Sequence, residues 1–169
     1  MRMFNGCLRM RVAMRILAID PGYDRLGIAV VEGSASRPIL LWSDCVMPPK
    51  GAHAARLAEV SRAITEAITT YTPDALAIET LFFSINKKTA FGVAEARGAV
   101  LAAAGLASLP VVEYSPQQVK LAVTGYGGAD KRAVAHMIPR LLILPKKKRI
   151  DDEFDAIAIG ITALSTHST

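Results

Sequence analysis

The chain has 169 residues, 51% of them hydrophobic and 21% charged, which suits one globular domain and excludes a disordered chain. Lysine and arginine outnumber aspartate and glutamate by 20 to 15, and the net charge of +5 favours a polyanionic partner. The two cysteines, Cys7 and Cys45, show no disulfide or metal-site spacing, and no apolar run is long enough for a membrane helix, so we expect a cytoplasmic protein.

The chain opens with a basic segment that lacks the apolar run of a signal peptide. We expect residues 1–13 to be a flexible extension from an upstream start, because Met14 directly precedes the first strand-like run. Residues 14–169 then form a single domain. Its first strand is Ile16–Ile19, which stops at an Asp20-Pro21-Gly22 turn.

The following elements alternate between strands and helices. Leu26–Val31 and Pro38–Val46 are predicted strands, and their short connections favour an antiparallel meander with the first strand. Apolar residues at helical spacing predict a helix over Ala54–Tyr71. Ala75–Ile78 is a fourth strand that ends at Glu79, a long helix runs from a capping Asn86 to Leu106, and Leu109–Glu113 is a fifth strand.

The last third of the chain is predicted to be helical. Ser115-Pro116-Gln117-Gln118 has the pattern of a capped helix start, and Asp130 opens a further helix. A basic loop, Lys146–Arg149, precedes a final helix over Asp152–Leu164. Together the elements predict a mixed α/β fold, with a central five-stranded sheet and helices on both faces.

Four carboxylates stand at the ends of these elements. Asp20 and Glu79 end two strands, while Asp152 and Asp155 share one face of the last helix. Carboxylates are ligands that Mg²⁺ and Mn²⁺ prefer, and a pair of such ions supports phosphoryl transfer. Each acid has a structural alternative, since Asp-Pro-Gly is a common turn and acids in a first helical turn complement the helix dipole. Their combination at strand ends and a helix start favours the metal site.

Five segments, in order over about residues 14–166, resemble the successive motifs of the RuvC family of Holliday-junction endonucleases. The segments are Ala18–Gly22, Ala77–Glu79, Glu95–Gly98, Glu113–Lys120 and Asp151–Ala158. The resemblance implies an RNase H-like fold and a catalytic, metal-binding set of Asp20, Glu79, Asp152 and Asp155, with Mg²⁺ (or Mn²⁺ as a substitute) and two ions per site. Asp152 is preferred over Asp151 because it has the family's three-residue spacing to Asp155, although Phe154 stands where the family more usually has a small residue.

The resemblance also implies residues that hold DNA. Phe82, on the loop after Glu79, matches an aromatic that stacks on a base at the junction, and Lys120 and Lys131 match basic positions near the scissile phosphate. We also assign the basic loop (Lys146, Lys147, Lys148 and Arg149) to DNA contact, because seven Lys and Arg residues and no acids lie between Lys131 and Arg149. A core role for Phe82 and solvated lysines are the structural alternatives, and Arg97 is a candidate for a structural ion pair.

The expected activity is resolution of four-way DNA junctions by paired nicks that leave 5′-phosphate and 3′-hydroxyl ends. The two-fold symmetry of a junction favours a homodimer, with the helices over Ala54–Tyr71 and after Asn86 as dimer surfaces. The resemblance further implies a RuvAB-type branch-migration partner. The alternatives are a YqgF-like nuclease acting on RNA or other branched substrates and a non-catalytic junction-binding module. An actin-like ATPase would need a second such domain.

Overall fold

A computed structural model describes residues 13–81 and 87–166 of the chain. The strands are β1 (Met14–Asp20), β2 (Leu26–Ser34), β3 (Arg37–Val46), β4 (Ala75–Glu79) and β5 (Val111–Tyr114). The helices are α1 (His53–Tyr71), α2 (Lys87–Leu106), α3 (Pro116–Thr124), α4 (Lys131–Leu141) and α5 (Asp151–Thr166). The predicted mixed α/β fold is confirmed. The prediction of a flexible extension concerns residues 1–13, of which all but Ala13 lie outside the described residues.

The five strands form one sheet in the order β3-β2-β1-β4-β5. The pairs β1/β2 and β2/β3 are antiparallel, as the predicted meander requires, whereas β1/β4 and β4/β5 are parallel. Ile19 of β1 is in register with Ile78 of β4. Asp20 and Glu79 directly follow this pair, so the ends of two parallel strands bring the two carboxylates to one edge of the sheet.

Side chains of β1 alternate between two apolar layers. Ile16 and Ala18 belong to a buried cluster that includes residues of α3, α4 and α5. Leu17 and Ile19 point the other way, into a cluster with residues of α1 and α2. All four side chains are fully buried. The period of two in the strand therefore supports helices on both faces of the sheet.

Helix α5 lies very close to the sheet because two glycines leave room for it. A Cβ atom on Gly160 would lie 2.6 Å from Cγ2 of Val31 on β2. A Cβ atom on Gly27, at the start of β2, would lie 2.0 Å from the carbonyl oxygen of Asp152. The first turn of α5 is thus in direct contact with the strand that runs beside Asp20.

The ends of the later elements differ little from the prediction. Ser115 and Gln118 form the predicted capping box at α3, and Asp130 caps α4 by accepting a hydrogen bond from the Ala133 amide. Strand β5 begins at Val111, two residues later than predicted, and α5 begins one residue earlier. The predicted cap Asn86 lies outside the described residues. Among the described helices, none is long and apolar enough to cross a membrane.

Candidate functional site

Four carboxylates from three elements form a centre at the end of the sheet, here called the acidic centre: Asp20 (β1), Glu79 (β4), Asp152 and Asp155 (α5). The pKa of Asp20 is raised from 3.8 to about 7, first by burial and then by the negative charges of Asp155, Glu79 and Asp152. Each of the other three carboxylates thus acts on Asp20. The structure brings the four predicted ligands together.

Repulsion is shared across the acidic centre. Burial raises the pKa of Glu79, and so does the charge of Asp155. Burial also raises the pKa of Asp155, and Asp152 adds to this, whereas a hydrogen bond from Lys131 opposes it. A cluster in which carboxylates hinder one another's ionisation requires compensating positive charge.

Two cationic side chains supply part of that compensation. Lys131 Nζ lies 2.6 Å from Asp155 Oδ2, and Arg25 Nε lies 3.4 Å from Asp152 Oδ2. Burial lowers the pKa of Lys131, but its hydrogen bond and charge pairing with Asp155 outweigh this, so that the pKa is raised overall. Both cations are more than half exposed and so are free to move away from the carboxylates.

The acidic centre fits a divalent metal ion by its chemistry. Asp152 Oδ2 is buried yet accepts no hydrogen bond, which leaves a carboxylate oxygen available for coordination. Carboxylate oxygens are the hard ligands that Mg²⁺ and Mn²⁺ prefer. Within the described residues, however, no three acidic, histidine or cysteine side chains form a ready-made metal site. Metal binding would therefore require Asp155 and Asp152 to separate from Lys131 and Arg25.

Two clefts adjoin the acidic centre. One, of about 270 Å³, is lined by Glu79, Lys120, Lys131 and Asp155, so the two predicted phosphate-binding lysines share a cleft with two of the predicted ligands. The other, of about 300 Å³, also has Lys131 and Asp155 in its lining and includes Phe154. The side chain of Phe154, at the position where the family usually has a small residue, thus forms part of a cleft wall beside Asp155.

The basic loop divides into two kinds of residue. Lys146 and Lys148 are exposed and remain candidates for DNA contact. Lys147 Nζ instead donates to Glu153 Oε2 at 3.0 Å and to the Ser43 carbonyl oxygen at 2.8 Å. The Arg149 side chain is only 5% exposed, and its Nε donates to Ser43 Oγ. The structure therefore gives Lys147 and Arg149 internal partners, a role that differs from the predicted DNA contact.

Other candidates have mixed outcomes. Phe82 lies outside the described residues, so its assignment to base stacking stays a prediction. Arg97 forms an ion pair of 2.5 Å with Glu113 on β5, which confirms the structural alternative for this residue. Sequence reasoning missed Arg25 and Glu153, because each acts through a partner distant in the chain that no local pattern indicates.

Comparison with known proteins gives the family of the chain. The family described as Crossover junction endodeoxyribonuclease RuvC matches residues 16–163. A crossover junction endodeoxyribonuclease RuvC from Brevibacillus brevis is 45% identical over 88% of this chain and 90% of its own length. One from Moorella thermoacetica is 44% identical over 88% of this chain and 89% of its own length.

Solved structures support the same relationship. Thermus thermophilus RuvC in complex with a Holliday junction substrate superposes with a TM-score of 0.82 at 36% identity, covering 88% of this chain and 92% of that chain. A yeast mitochondrial Holliday junction resolvase, Ydc2, superposes with a TM-score of 0.65 at 11% identity, covering 89% of this chain and 79% of that chain. At this low identity the likeness shows a shared fold and nothing more. The chain belongs to the RuvC family.

Proposed function

We propose that this member of the RuvC family resolves Holliday junctions in recombination and repair by cutting DNA strands at its acidic centre. Family membership supports crossover junction endodeoxyribonuclease activity and dependence on a divalent metal. The observation that carries the assignment of the active site is the convergence of Asp20, Glu79, Asp152 and Asp155. The last three lie close enough to Asp20 for their charges to raise its pKa.

The proposed metal is Mg²⁺, with Mn²⁺ as a substitute, and the proposed number is two ions per site. Asp20, Glu79, Asp152 and Asp155 would hold them. Such ions would supply Lewis-acid chemistry, promoting attack of water on phosphorus and offsetting the charge that develops on the phosphodiester. The four carboxylates are partly buried, so water screens their charge less than at an exposed surface and their interaction with the ions would be stronger.

The lysines of the cleft hold the phosphate in this mechanism. Lys131 pairs with Asp155 in the DNA-free protein, and its exposed side chain can turn from the carboxylate to a phosphate oxygen. Lys120 lines the same cleft and would bind a neighbouring phosphate. Two ammonium groups placed in this way neutralise the backbone and stabilise negative charge in the transition state.

Recognition of the junction is assigned to residues around the cleft. Phe82 would stack on an exposed base, which contributes about 1–3 kcal/mol per base in comparable sites. Lys146 and Lys148 would contact the phosphates of an adjacent arm, since both are exposed and lie just before α5 in the chain. Lys147 and Arg149 are better explained by their internal contacts.

The proposed assembly is a cytoplasmic homodimer with one nuclease domain, residues 14–169, in each protomer. Because a four-way junction has approximate two-fold symmetry, two protomers would present one active site to each of two equivalent strands. The products would be paired nicks with 5′-phosphate and 3′-hydroxyl ends. A RuvAB-type branch-migration complex is the proposed functional partner.

Cleavage of a mobile four-way junction tests this proposal. We expect paired, ligatable nicks with Mg²⁺, no nicks with EDTA, and no nicks with Asp152→Asn, which keeps the shape of the side chain but weakens metal coordination. Linear duplex DNA is the control substrate, and Asp74→Asn is the matched control variant because Asp74 accepts a hydrogen bond from the Arg15 amide at the end of β1 away from the acidic centre. Undiminished cleavage by Asp152→Asn, or equal cutting of the linear duplex, would contradict the assignment.

A further inference from the structure

A buried carboxylate that is not one of the four proposed ligands lies in the first turn of α5. Glu153 is 3% exposed and stands between Asp152 and Asp155 in the chain. We propose that Glu153, held by Ser43, Lys147 and Arg149, is a positioning residue that places Asp152 in the acidic centre. This inference rests on the proposed function, because it concerns how the same site is held. The four residues Ser43, Lys147, Arg149 and Glu153 are called the Glu153 clamp.

The contacts of the clamp converge on one carboxylate oxygen. Ser43 Oγ donates to Glu153 Oε2 at 2.8 Å, and Lys147 Nζ donates to the same oxygen at 3.0 Å. Arg149 Nε lies 3.9 Å from it and donates to Ser43 Oγ at 3.0 Å. Lys147 also donates to the Ser43 carbonyl oxygen at 2.8 Å. The clamp therefore joins β3, the basic loop and α5.

Asp152 depends on the clamp because its own side chain has little else to hold it. Its Oδ2 accepts no hydrogen bond, and its nearest cation, Arg25, is exposed. The position of the Asp152 carboxylate is consequently set by the backbone of the first turn of α5. Close contact with Gly27 holds the backbone of that turn at Asp152, and the clamp holds the turn at the next residue, Glu153.

The chemistry of the clamp suits positioning better than simple packing. A buried carboxylate costs more than an apolar side chain of similar size, so a clamp of charged groups is a poor way to gain stability alone. Its hydrogen bonds do fix direction, which an apolar contact does not. Groups that orient metal ligands in this way typically change metal affinity or activity by about 10- to 100-fold when they are removed.

The clamp also accounts for the internal contacts of Lys147, whose side chain stays 42% exposed, and of Arg149. Arg149 has a side chain that is 5% exposed and bonds to Ser43 and to the carbonyl oxygen of Pro145. Lys148, its neighbour, is exposed. We therefore expect different effects from the two residues. Loss of the Arg149 side chain should weaken metal binding, and loss of the Lys148 side chain should weaken DNA binding.

The experiment compares Glu153→Gln, Lys147→Met and Arg149→Met with Lys148→Met as the contrasting variant. Three readouts are measured: Mn²⁺ binding to the DNA-free protein by electron paramagnetic resonance, junction binding in EDTA by fluorescence anisotropy, and the Mg²⁺ concentration that half-saturates cleavage. Thermal denaturation shows which variants are folded. Ser43→Ala is the milder variant, since it removes the two hydrogen bonds of one hydroxyl group, to Glu153 and from Arg149, and leaves the ion pairs of Glu153 with Lys147 and Arg149 in place.

We expect the clamp variants to weaken Mn²⁺ binding and raise the half-saturating Mg²⁺ concentration by about 10-fold or more, with junction binding in EDTA unchanged. Lys148→Met should leave Mn²⁺ binding unchanged and weaken junction binding in EDTA. The proposal is overturned if folded clamp variants bind Mn²⁺ like the wild type, or if they lose junction affinity instead. If the wild type does not cut junctions, the proposed function fails, while the Mn²⁺ measurements still decide the role of the clamp.

Discussion

Asp20 ends the central strand with a carboxyl group whose pKa is raised from 3.8 to about 7, first by burial and then by the other carboxylates of the acidic centre. Because the folded protein binds this proton more tightly than the unfolded chain, the contribution of Asp20 to stability is most favourable below about pH 4. This contribution declines as the pH rises from 4 to about 7, and above pH 7 the ionised Asp20 carboxylate destabilises the folded protein. The shift corresponds to a few kcal/mol, at about 1.4 kcal/mol per pKa unit.

Asp20→Asn is therefore expected to stabilise the metal-free protein while abolishing cleavage. Asparagine has nearly the shape of the protonated carboxyl group and carries no charge, so the variant avoids the repulsion at neutral pH. Thermal denaturation in EDTA should give a higher Tm for the variant near pH 8, and the difference should shrink towards zero near pH 4. Added Mg²⁺ should raise the Tm of the wild type more than that of the variant.

Asp74→Asn serves as the comparison, because Asp74 accepts a hydrogen bond from the Arg15 amide at the other end of β1, and the loss of its charge should not stabilise the fold. A Tm difference between Asp20→Asn and the wild type that is the same at low and high pH would contradict the electrostatic explanation. Asp20 is thus expected to lower the stability of the metal-free protein at neutral pH, where its charge is needed for metal binding.

At the scale of elements, the position of α5 against β2 determines where Asp152 lies. Gly27→Ala would place a methyl group 2.0 Å from the Asp152 carbonyl oxygen, and a backbone atom cannot rotate away as a side chain can. We expect a destabilisation of about 1–3 kcal/mol, as in other overpacked cores, together with a large loss of cleavage. Chemical denaturation and junction cleavage measure the two effects.

Gly105→Ala is the matched control, because a Cβ atom at this position of α2 meets no other atom within 4 Å. Alanine at a helical position should leave the protein unchanged or stabilise it by up to about 1 kcal/mol. If Gly27→Ala proved as harmless as Gly105→Ala, the close contact between β2 and the start of α5 would not be what sets the position of Asp152.

Most elements could be predicted from the sequence because their signals are local. The capping box at Ser115, the cap at Asp130 and the strand stopped at Asp20 all depend on neighbouring residues. The internal role of Lys147 and Arg149 could not be predicted in this way. It depends on Ser43, which is more than a hundred positions away in the chain, and a run of basic residues has the same pattern whether it faces solvent or a buried carboxylate.

Across the whole molecule, positive charge surrounds the acidic centre. Lys131 and Arg25 contact its carboxylates, and Lys120 lines the adjacent cleft. The net charge of +5 thus coexists with a local negative centre. Such a distribution attracts the DNA backbone to the rim while it leaves the carboxylates available for metal ions, so electrostatic attraction and catalysis are assigned to different residues.

The salt dependence of junction binding measures how many cationic side chains contact phosphates. Each phosphate contact contributes about 0.9 to the slope of log K against log salt concentration. The double variant Lys146→Met/Lys148→Met should therefore reduce the slope by about 2, since both lysines are exposed and have no assigned internal role. Anisotropy titrations in EDTA at several salt concentrations give the slope without cleavage of the junction.

Arg37→Met provides the control for charge alone. Arg37 is an exposed cation at the start of β3, whereas the residues of β3 nearest the acidic centre are at its other end, so Arg37 lies away from the proposed DNA path. Its removal changes the net charge by one and should leave the slope nearly unchanged. Equal effects from Arg37→Met and from Lys146→Met or Lys148→Met alone would mean that total charge attracts the junction, and that Lys146 and Lys148 make no specific phosphate contacts.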